Sequence, residues 1–303
     1  AQQEDDGDPQ ASLGTIEALL GRLHGHDLAG IHLLELHLHR LQVLMSLGRY
    51  SQVVDACSRA QVLLERVLPS WGEFFRTTLH MEGAYCAVYL DPRPETAGRL
   101  LESLEPVDLP GTMRFIARSV RGELELTRGN VRTAALIQRV SLRYAGNWRS
   151  ILGSGSQWEL YILSMCLVTD VELSPDDAVE LDAGAIRARA TSLLREILSD
   201  PAPRQRDIPT LMAFAAAVGL SAVAAEDAGP DRRAVGAELV ATARAVGTNQ
   251  TCRLLSHDYL RSRTERLDAL ALAQAEERIR SLDRGGLVAH AADLAGRLAG
   301  EVG

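Results

Sequence analysis

Apolar residues recur every three to four positions along almost the whole 303-residue chain, and this period constrains the fold more than any other feature. One such stripe comprises Ile31, Leu34, Leu38, Leu41 and Met45. Stretches that alternate apolar and polar residues, as half-buried strands do, are absent from the sequence over any useful length. The pattern therefore predicts an all-α protein.

Short breaks containing glycine, proline or capping residues separate these amphipathic segments. The connections are tight, so they predict antiparallel helix pairs. The expected helices cover residues 10–23, 28–47, 51–67, 71–90, 94–104, 111–128, 131–145, 156–170, 175–198, 208–226, 231–246, 256–270, 271–282 and 284–299.

Helix pairs that recur at this spacing are typical of a helical solenoid, in which each pair stacks on the next. A compact multi-helix bundle is the alternative. We favour the solenoid because the pairs recur without an evident central hydrophobic helix. Three segments are expected, and the division at 153 follows the flexible sequence Gly153-Ser154-Gly155-Ser156. The segments are an N-terminal segment with the first helix (1–27), a repeat region (28–152) and C-terminal helical repeats (153–303).

Two helix pairs carry small residues at the spacing of a tetratricopeptide repeat. In the first, the turn Gly48-Arg49-Tyr50 precedes Val53 and Ala60. The second centres on Gly129-Asn130-Val131, with small residues at Gly122, Ala134 and Ser141. Small side chains let neighbouring helices pack closely. The region 28–145 therefore resembles a tetratricopeptide array, although the tryptophan and terminal proline of that repeat are missing. This resemblance implies a right-handed α-solenoid of antiparallel helix pairs.

The C-terminal third carries a second resemblance. Asp207-Ile208-Pro209 introduces an alanine-rich helix at 211–225, followed by the segment 234–247 and an arginine-rich helix around Arg261. This order is similar to the C-terminal helical region of large actinobacterial transcriptional regulators, both those with a bacterial transcriptional activator domain and the large LuxR-type ATPase regulators. The resemblance implies a sensor or interaction region that controls neighbouring DNA-binding or NTPase domains.

Charge and composition exclude several other functions. The formal net charge is −8, and the arginines are scattered, so direct nucleic-acid binding by this segment is not expected. No apolar run approaches the length needed to span a membrane, and the acidic N-terminal residues do not resemble a signal peptide. The four cysteines are widely spaced, which favours reduced thiols and a cytoplasmic location.

No motif points to catalysis or to a cofactor. A phosphate-binding loop of the Walker type needs a lysine, and the sequence contains none. His24, His26, His32, His37 and His39 are crowded, but the pair His32 and His39 lies about 10 Å apart along a helix axis. We therefore interpret these histidines as surface and boundary residues and expect no metal site, no cofactor and no enzymatic activity.

A solenoid exposes the first helix of each pair on its concave side, so polar residues inside these apolar helices are candidates for binding a partner. An ordinary solvated position is the competing interpretation. The partner is expected to be a protein or peptide, including another domain of the same polypeptide. The candidate groove residues are Glu35, Gln42, Thr77, His80, Ser119, Glu123, Gln157 and Ser164.

Two further functions stay open at this point. A free-standing tetratricopeptide-like scaffold would bridge other proteins with the same groove. A small-molecule sensor would use the aromatic side chains of Trp148, Trp158 and Tyr161, which flank the glycine-serine sequence. The sequence does not predict an oligomeric state.

Overall fold

The computed structural model describes residues 9–23, 30–67, 79, 83–84, 88, 95–102, 111–152, 157–199, 208–250 and 252–300. The predicted helix at 71–90, apart from four positions, and the loop at 153–156 lie outside this set. The described helices are α1 (Pro9–Leu23), α2 (Gly30–Ser46), α3 (Tyr50–Val67), α4 (Glu95–Glu102), α5 (Gly111–Thr127), α6 (Val131–Leu152), α7 (Gln157–Asp170), α8 (Pro175–Glu180), α9 (Ala183–Ser199), α10 (Ile208–Ala224), α11 (Pro230–Val246), α12 (His257–Ile279) and α13 (Arg284–Gly300).

The described residues form helices and connecting turns with no β-strand, which confirms the predicted all-α class. None of the described helices has a long enough apolar stretch to cross a bilayer. The chain divides into two compact units, Ala1–Asn130 and Val131–Gly303. The predicted division between residues 152 and 153 falls within the second unit and stays a prediction.

In the N-terminal unit, α2 packs against both of its neighbours along the chain, α1 and α3. The side chains of Leu34, Leu41 and Leu44 are almost completely buried. Gly48 ends α2 with a φ of 68°, a value that favours glycine. The N–H of Arg49 donates to the Leu44 carbonyl at 2.9 Å, which closes the turn before α3 begins. Further along this unit, α4 packs against α5.

The C-terminal unit is built around α10. This helix packs against α7, α9, α11, α12 and α13, and 14 of its 17 residues are buried. A helix that is apolar on all sides stabilises the fold most when every one of its faces is shielded from water. The expectation that the chain lacks a central hydrophobic helix is therefore wrong in this unit. The stacking of helix pairs as a solenoid is not confirmed and stays a prediction.

Helices α10 and α11 approach each other at two glycines. A Cβ atom added to Gly219 would lie 2.6 Å from the Gly236 carbonyl oxygen, and one added to Gly236 would lie 2.7 Å from that of Gly219. Both distances are too short for any side chain, so only glycine lets the two backbones pack at this separation. This contact fixes α11 against the central helix.

Three predicted helices differ from the structure by more than one turn or in their number. The helix expected at 131–145 continues to Leu152. The single helix expected at 175–198 is two helices, α8 and α9, because Asp182 between them has a φ of 53°. The break expected between the helices at 256–270 and 271–282 lies at Asp268 instead, where non-helical backbone angles divide α12 into two segments at a kink. The Asp268 carboxylate accepts a hydrogen bond from the Ala271 N–H at 3.0 Å, so it caps the second half of the helix as an N-terminal residue would.

Candidate interaction surface

Helix α2 carries a line of polar side chains outside its buried residues. We define the α2 polar stripe as His32, Glu35, His39 and Gln42, whose spacings of three, four and three residues place them along one side of a helix. His32, Glu35 and Gln42 are exposed, and His39 is half-buried. The stripe extends about 15 Å along the helix axis. It therefore offers a linear polar surface on a helix held in place by two neighbours.

The stripe consists of two similar pairs, each a histidine and a residue three positions later whose side-chain oxygen can accept a hydrogen bond. The Nδ1 atom of His32 lies 3.2 Å from a Glu35 carboxylate oxygen, and the Nδ1 atom of His39 lies 3.3 Å from the Gln42 amide oxygen. A carboxylate only accepts, so the Nδ1 atom of His32 carries the proton and donates it, and the Gln42 amide oxygen can accept from His39 in the same way. Each bond joins neighbours on the helix surface and limits the rotamers of both side chains. The stripe is therefore partly ordered before any partner arrives.

Because these side chains are exposed, a partner can replace the hydrogen bonds within each pair by its own at little cost in free energy. The side chains of His32 and Glu35 are 71% and 65% exposed, so their hydrogen bond adds little to stability. Other contacts hold the helix itself: Arg40 donates to a Glu17 carboxylate oxygen of α1 at 3.0 Å, and Arg49 donates to the Gln10 amide oxygen at 2.7 Å. A partner can thus replace the stripe's own hydrogen bonds without loosening α2.

A neighbouring histidine is different. His37 is half-buried, and its Nδ1 atom has no hydrogen-bond partner among the described residues. Burial lowers its pKa, and the charges of Arg40 and Arg59 lower it further. His37 is therefore neutral at pH 7 and belongs to the interior of the unit rather than to the stripe.

Three of the predicted groove residues do not lie on an exposed surface. Ser119, Glu123 and Ser164 are 0%, 2% and 1% exposed. The Ser164 hydroxyl donates to the Leu160 carbonyl of its own helix at 2.7 Å, which satisfies the hydroxyl without any external partner. The interpretation of these three residues as the wall of an open groove is therefore corrected: a polar residue in an apolar helix can also be a buried one.

The remaining predicted residues are placed as follows. Glu35 and Gln42 belong to the α2 polar stripe, and their role in binding stays a prediction. Thr77 and His80 lie outside the described residues. Trp148, Gln157 and Trp158 lie on α6 and α7, but their side chains are outside the described set, and Tyr161 is half-buried. The predicted aromatic pocket therefore depends on side chains outside the described set and stays a prediction.

Sequence reasoning missed the two histidines of the stripe. The sequence analysis interprets His32 and His39 as surface and boundary residues and does not include them in a binding surface. The available signal was the repeat of a histidine followed three residues later by an acceptor, at an interval of seven residues. Seven residues are close to two helical turns, so the two pairs had to share a face.

Ionisable side chains of the C-terminal unit pair with one another across helices. Arg139 of α6 binds both carboxylate oxygens of Asp170 at 2.8 and 3.1 Å, and both side chains are mostly buried. Glu238 of α11 accepts from Arg278 of α12 at 2.9 Å and lies 2.8 Å from the Nε2 atom of His290. These groups connect helices, so their arrangement is that of structural cross-links.

Two groups that could act as nucleophiles are held in their protonated forms. Burial raises the pKa of the Cys166 thiol to about 12. Burial and the nearby Glu172 carboxylate raise the pKa of the Tyr259 hydroxyl to about 12. Within the described ranges, no three histidine, cysteine or carboxylate side chains are grouped closely enough to hold a metal ion.

No protein family, curated protein or solved structure matches the chain. The candidate surface therefore stands on the geometry of the described residues alone.

Proposed function

We propose that this chain is a protein-interaction or sensor region of a bacterial transcriptional regulator, and that its partner binds along the α2 polar stripe. The observation that carries the proposal is the repeated, exposed pair of a histidine and an acceptor on a helix fixed by its neighbours. The partner is a protein, a peptide or a neighbouring domain of the same polypeptide. No catalytic step and no cofactor belong to the proposal.

The chemistry of the stripe limits what can bind. Glu35 offers a carboxylate, Gln42 offers an amide, and the imidazoles of His32 and His39 can donate or accept. A partner that presents guanidinium, amide or backbone N–H groups in a row about 15 Å long would satisfy these acceptors. Such a row is found along an extended peptide of about five residues or along three turns of a helix.

The link to transcriptional regulation comes from the C-terminal sequence order that resembles large actinobacterial regulators. If the resemblance holds, the partner is a DNA-binding or NTPase domain of the same polypeptide, and the chain acts in the cytoplasm. A free-standing scaffold would use the same stripe on a separate protein. The domain content of the parent polypeptide distinguishes these two functions.

The experiment uses the flanking domains of the parent polypeptide, each produced separately and titrated into this chain by isothermal titration calorimetry. For a free-standing protein, a displayed peptide library replaces them. We expect the double variant Glu35→Ala with Gln42→Ala to weaken binding at least about tenfold. A matched control, Gln52→Ala with Asp55→Ala, removes one amide and one carboxylate from exposed positions of α3 and should bind as the unmodified chain does.

Two outcomes would contradict the proposal. The first is a partner that binds the stripe variant and the control variant equally well. The second is the absence of binding to every flanking domain and displayed peptide. A rise in melting temperature with a metabolite in place of a protein partner would favour the small-molecule sensor instead.

A further inference from the structure

The turn that follows α11 is fastened to the start of α12 by a histidine side chain. Gly247 ends α11 with a φ of 109°, a value that favours glycine, and its N–H donates to the Ala243 carbonyl at 3.1 Å. The next N–H, that of Thr248, donates to the Nε2 atom of His257 at 3.2 Å. We call this hydrogen bond between Thr248 and His257 the histidine tether.

The tether satisfies a backbone group that water reaches poorly. Thr248 is only 6% exposed, and a buried N–H that loses its acceptor costs free energy. Gln250 adds a longer second link, because its side-chain oxygen accepts from the backbone N–H of His257 at 3.4 Å. On its other side the turn is bound to α10, where the Pro209 carbonyl accepts from the Asn249 N–H at 2.8 Å. The turn is therefore held at two places, and His257 provides one of them.

The tether requires a neutral imidazole. Because Nε2 accepts the Thr248 N–H, the neutral ring carries its proton on Nδ1. A second proton would bind to Nε2, and two N–H donors would then face each other where donor and acceptor now meet. Protonation of His257 therefore removes the acceptor and replaces attraction by repulsion.

The groups around His257 favour the neutral ring near pH 7. Burial lowers its pKa below the ordinary value, the charge of Arg244 on α11 lowers it further, and the adjacent Asp258 carboxylate raises it. Glu276 of α12 pairs with Arg244 at 3.2 Å and partly offsets that charge. Since the pKa is lowered in the folded chain, the tether contributes fully above about pH 6.5 and is lost as the pH falls from there through the lowered pKa.

We propose that the histidine tether is a pH-sensitive switch, which holds the turn at Gly247–Gln250 near neutral pH and releases it when His257 takes up a proton. The bond from Asn249 to α10 does not involve His257, so the release is local and the helices keep their packing. The inference is independent of the function proposed above, because it concerns a different unit and none of the residues of the α2 polar stripe.

The experiment is an NMR pH series on the full chain from about pH 7.5 to about pH 4.5. The ring nitrogen shifts of His257 should show the proton on Nδ1 at the start of the series and on both nitrogens at its end. The protection factor of the Thr248 amide, which corrects for the intrinsic pH dependence of exchange, should fall at least about tenfold. Amides in the central turns of α10 should stay protected, which separates local release from global unfolding.

Two substitutions of His257 separate the acceptor from its titration. His257→Gln supplies an amide oxygen that accepts without taking up a proton, so the protection of Thr248 should change less than about threefold over the series. His257→Leu removes the acceptor, so protection should already be at least about tenfold lower at neutral pH. His32→Gln, at an exposed histidine of α2, is the matched control and should keep the full response to pH.

Four results would overturn the proposal. These are a Thr248 amide equally protected at both ends of the series, a pH response that persists in His257→Gln, full protection in His257→Leu, and a ring proton on Nε2 at neutral pH. Far-ultraviolet circular dichroism should show the same helix content in every variant. If His257→Leu loses helix content, His257→Gln and the unmodified chain still decide the outcome.

Discussion

The two units use their best-packed helices in different ways. In the N-terminal unit, α2 buries Leu34, Leu41 and Leu44 but keeps a polar stripe exposed. In the C-terminal unit, α10 has almost no exposed residue and contacts five other helices. A helix that keeps a polar face has a surface to offer a partner, whereas a buried helix serves the stability of its unit. Substitutions should therefore affect stability strongly in the second unit and weakly at the stripe of the first.

The largest expected loss of stability follows Arg139→Met. This change removes the guanidinium that binds both oxygens of Asp170, a residue whose side chain is 6% exposed. Burial already raises the pKa of Asp170 above its ordinary value, and without Arg139 a buried carboxylate loses its charged partner. We expect the free energy of unfolding, measured with urea, to fall by about 3 kcal/mol.

Arg132→Met is the matched control for that change. Arg132 lies on the same helix, but its side chain is 43% exposed and its partners, Asp177 and Glu180, are at the surface. The urea midpoint should move little. Equal losses from the two arginine substitutions would contradict the distinction between a buried and an exposed cross-link.

Gly219→Ala should have the next largest effect. The added Cβ would lie 2.6 Å from the Gly236 carbonyl oxygen, and two backbones must separate to relieve the overlap. We expect a loss of about 2 kcal/mol, after the gain in helix propensity from alanine. Gly296→Ala on α13 meets no atom within 4 Å and should instead stabilise by about 0.5–1 kcal/mol. The same sign for both changes would mean that α10 and α11 are not in close contact.

Glu238→Gln should have a smaller effect that depends on pH. Burial alone would raise the pKa of Glu238, but hydrogen bonds from Arg278 and His290 outweigh burial, and the pKa lies below its ordinary value. The carboxylate therefore stabilises the fold above the ordinary glutamate pKa, near 4.3, and this contribution is lost as the pH falls through the lowered pKa.

At pH 7 we expect Glu238→Gln to cost about 1 kcal/mol, a value reduced for the partly exposed Arg278. The difference from the unmodified chain should shrink below about pH 4 in urea unfolding measured across a pH series. A difference that is constant across the series would show that the charge of Glu238 does not contribute.

Glu35→Ala with Gln42→Ala should have the smallest effect on stability. Both side chains are exposed, so the free energy of unfolding should change by less than about 0.5 kcal/mol. The same change is the one expected to weaken partner binding. A large destabilisation would show that the stripe maintains the fold instead of offering a surface.

The sequence predicted where most helices begin and end, because caps and breakers act locally. The helix expected at 111–128 is observed at Gly111–Thr127, and the one expected at 231–246 is observed at Pro230–Val246. The break at Asp182 is not predicted by the sequence, and the one at Asp268 is predicted a few residues too late. Asp182 has a positive φ although it is not a glycine, the residue that usually marks such a position in a sequence. Asp268 lies within a helical pattern, and its side chain caps the segment that follows it.

The position of α10 could have been predicted. No charged residue occurs from Ile208 to Ala225, and a helix with no polar face has to be buried on all sides. The burial of Ser119 and Glu123 could not be predicted in this way, because a polar residue inside an amphipathic helix is compatible with a groove and with a satisfied interior. Only the tertiary contacts show whether such a residue faces a groove or is buried.

Amide hydrogen exchange, followed by mass spectrometry on the full chain, tests the contrast between the two units most directly. We expect the backbone amides in the central turns of α10 and α11 to exchange slowest and at similar rates, at least about 100-fold more slowly than those on the exposed side of α2. Exchange in α10 as fast as that in α2 would contradict a C-terminal unit built around one buried helix.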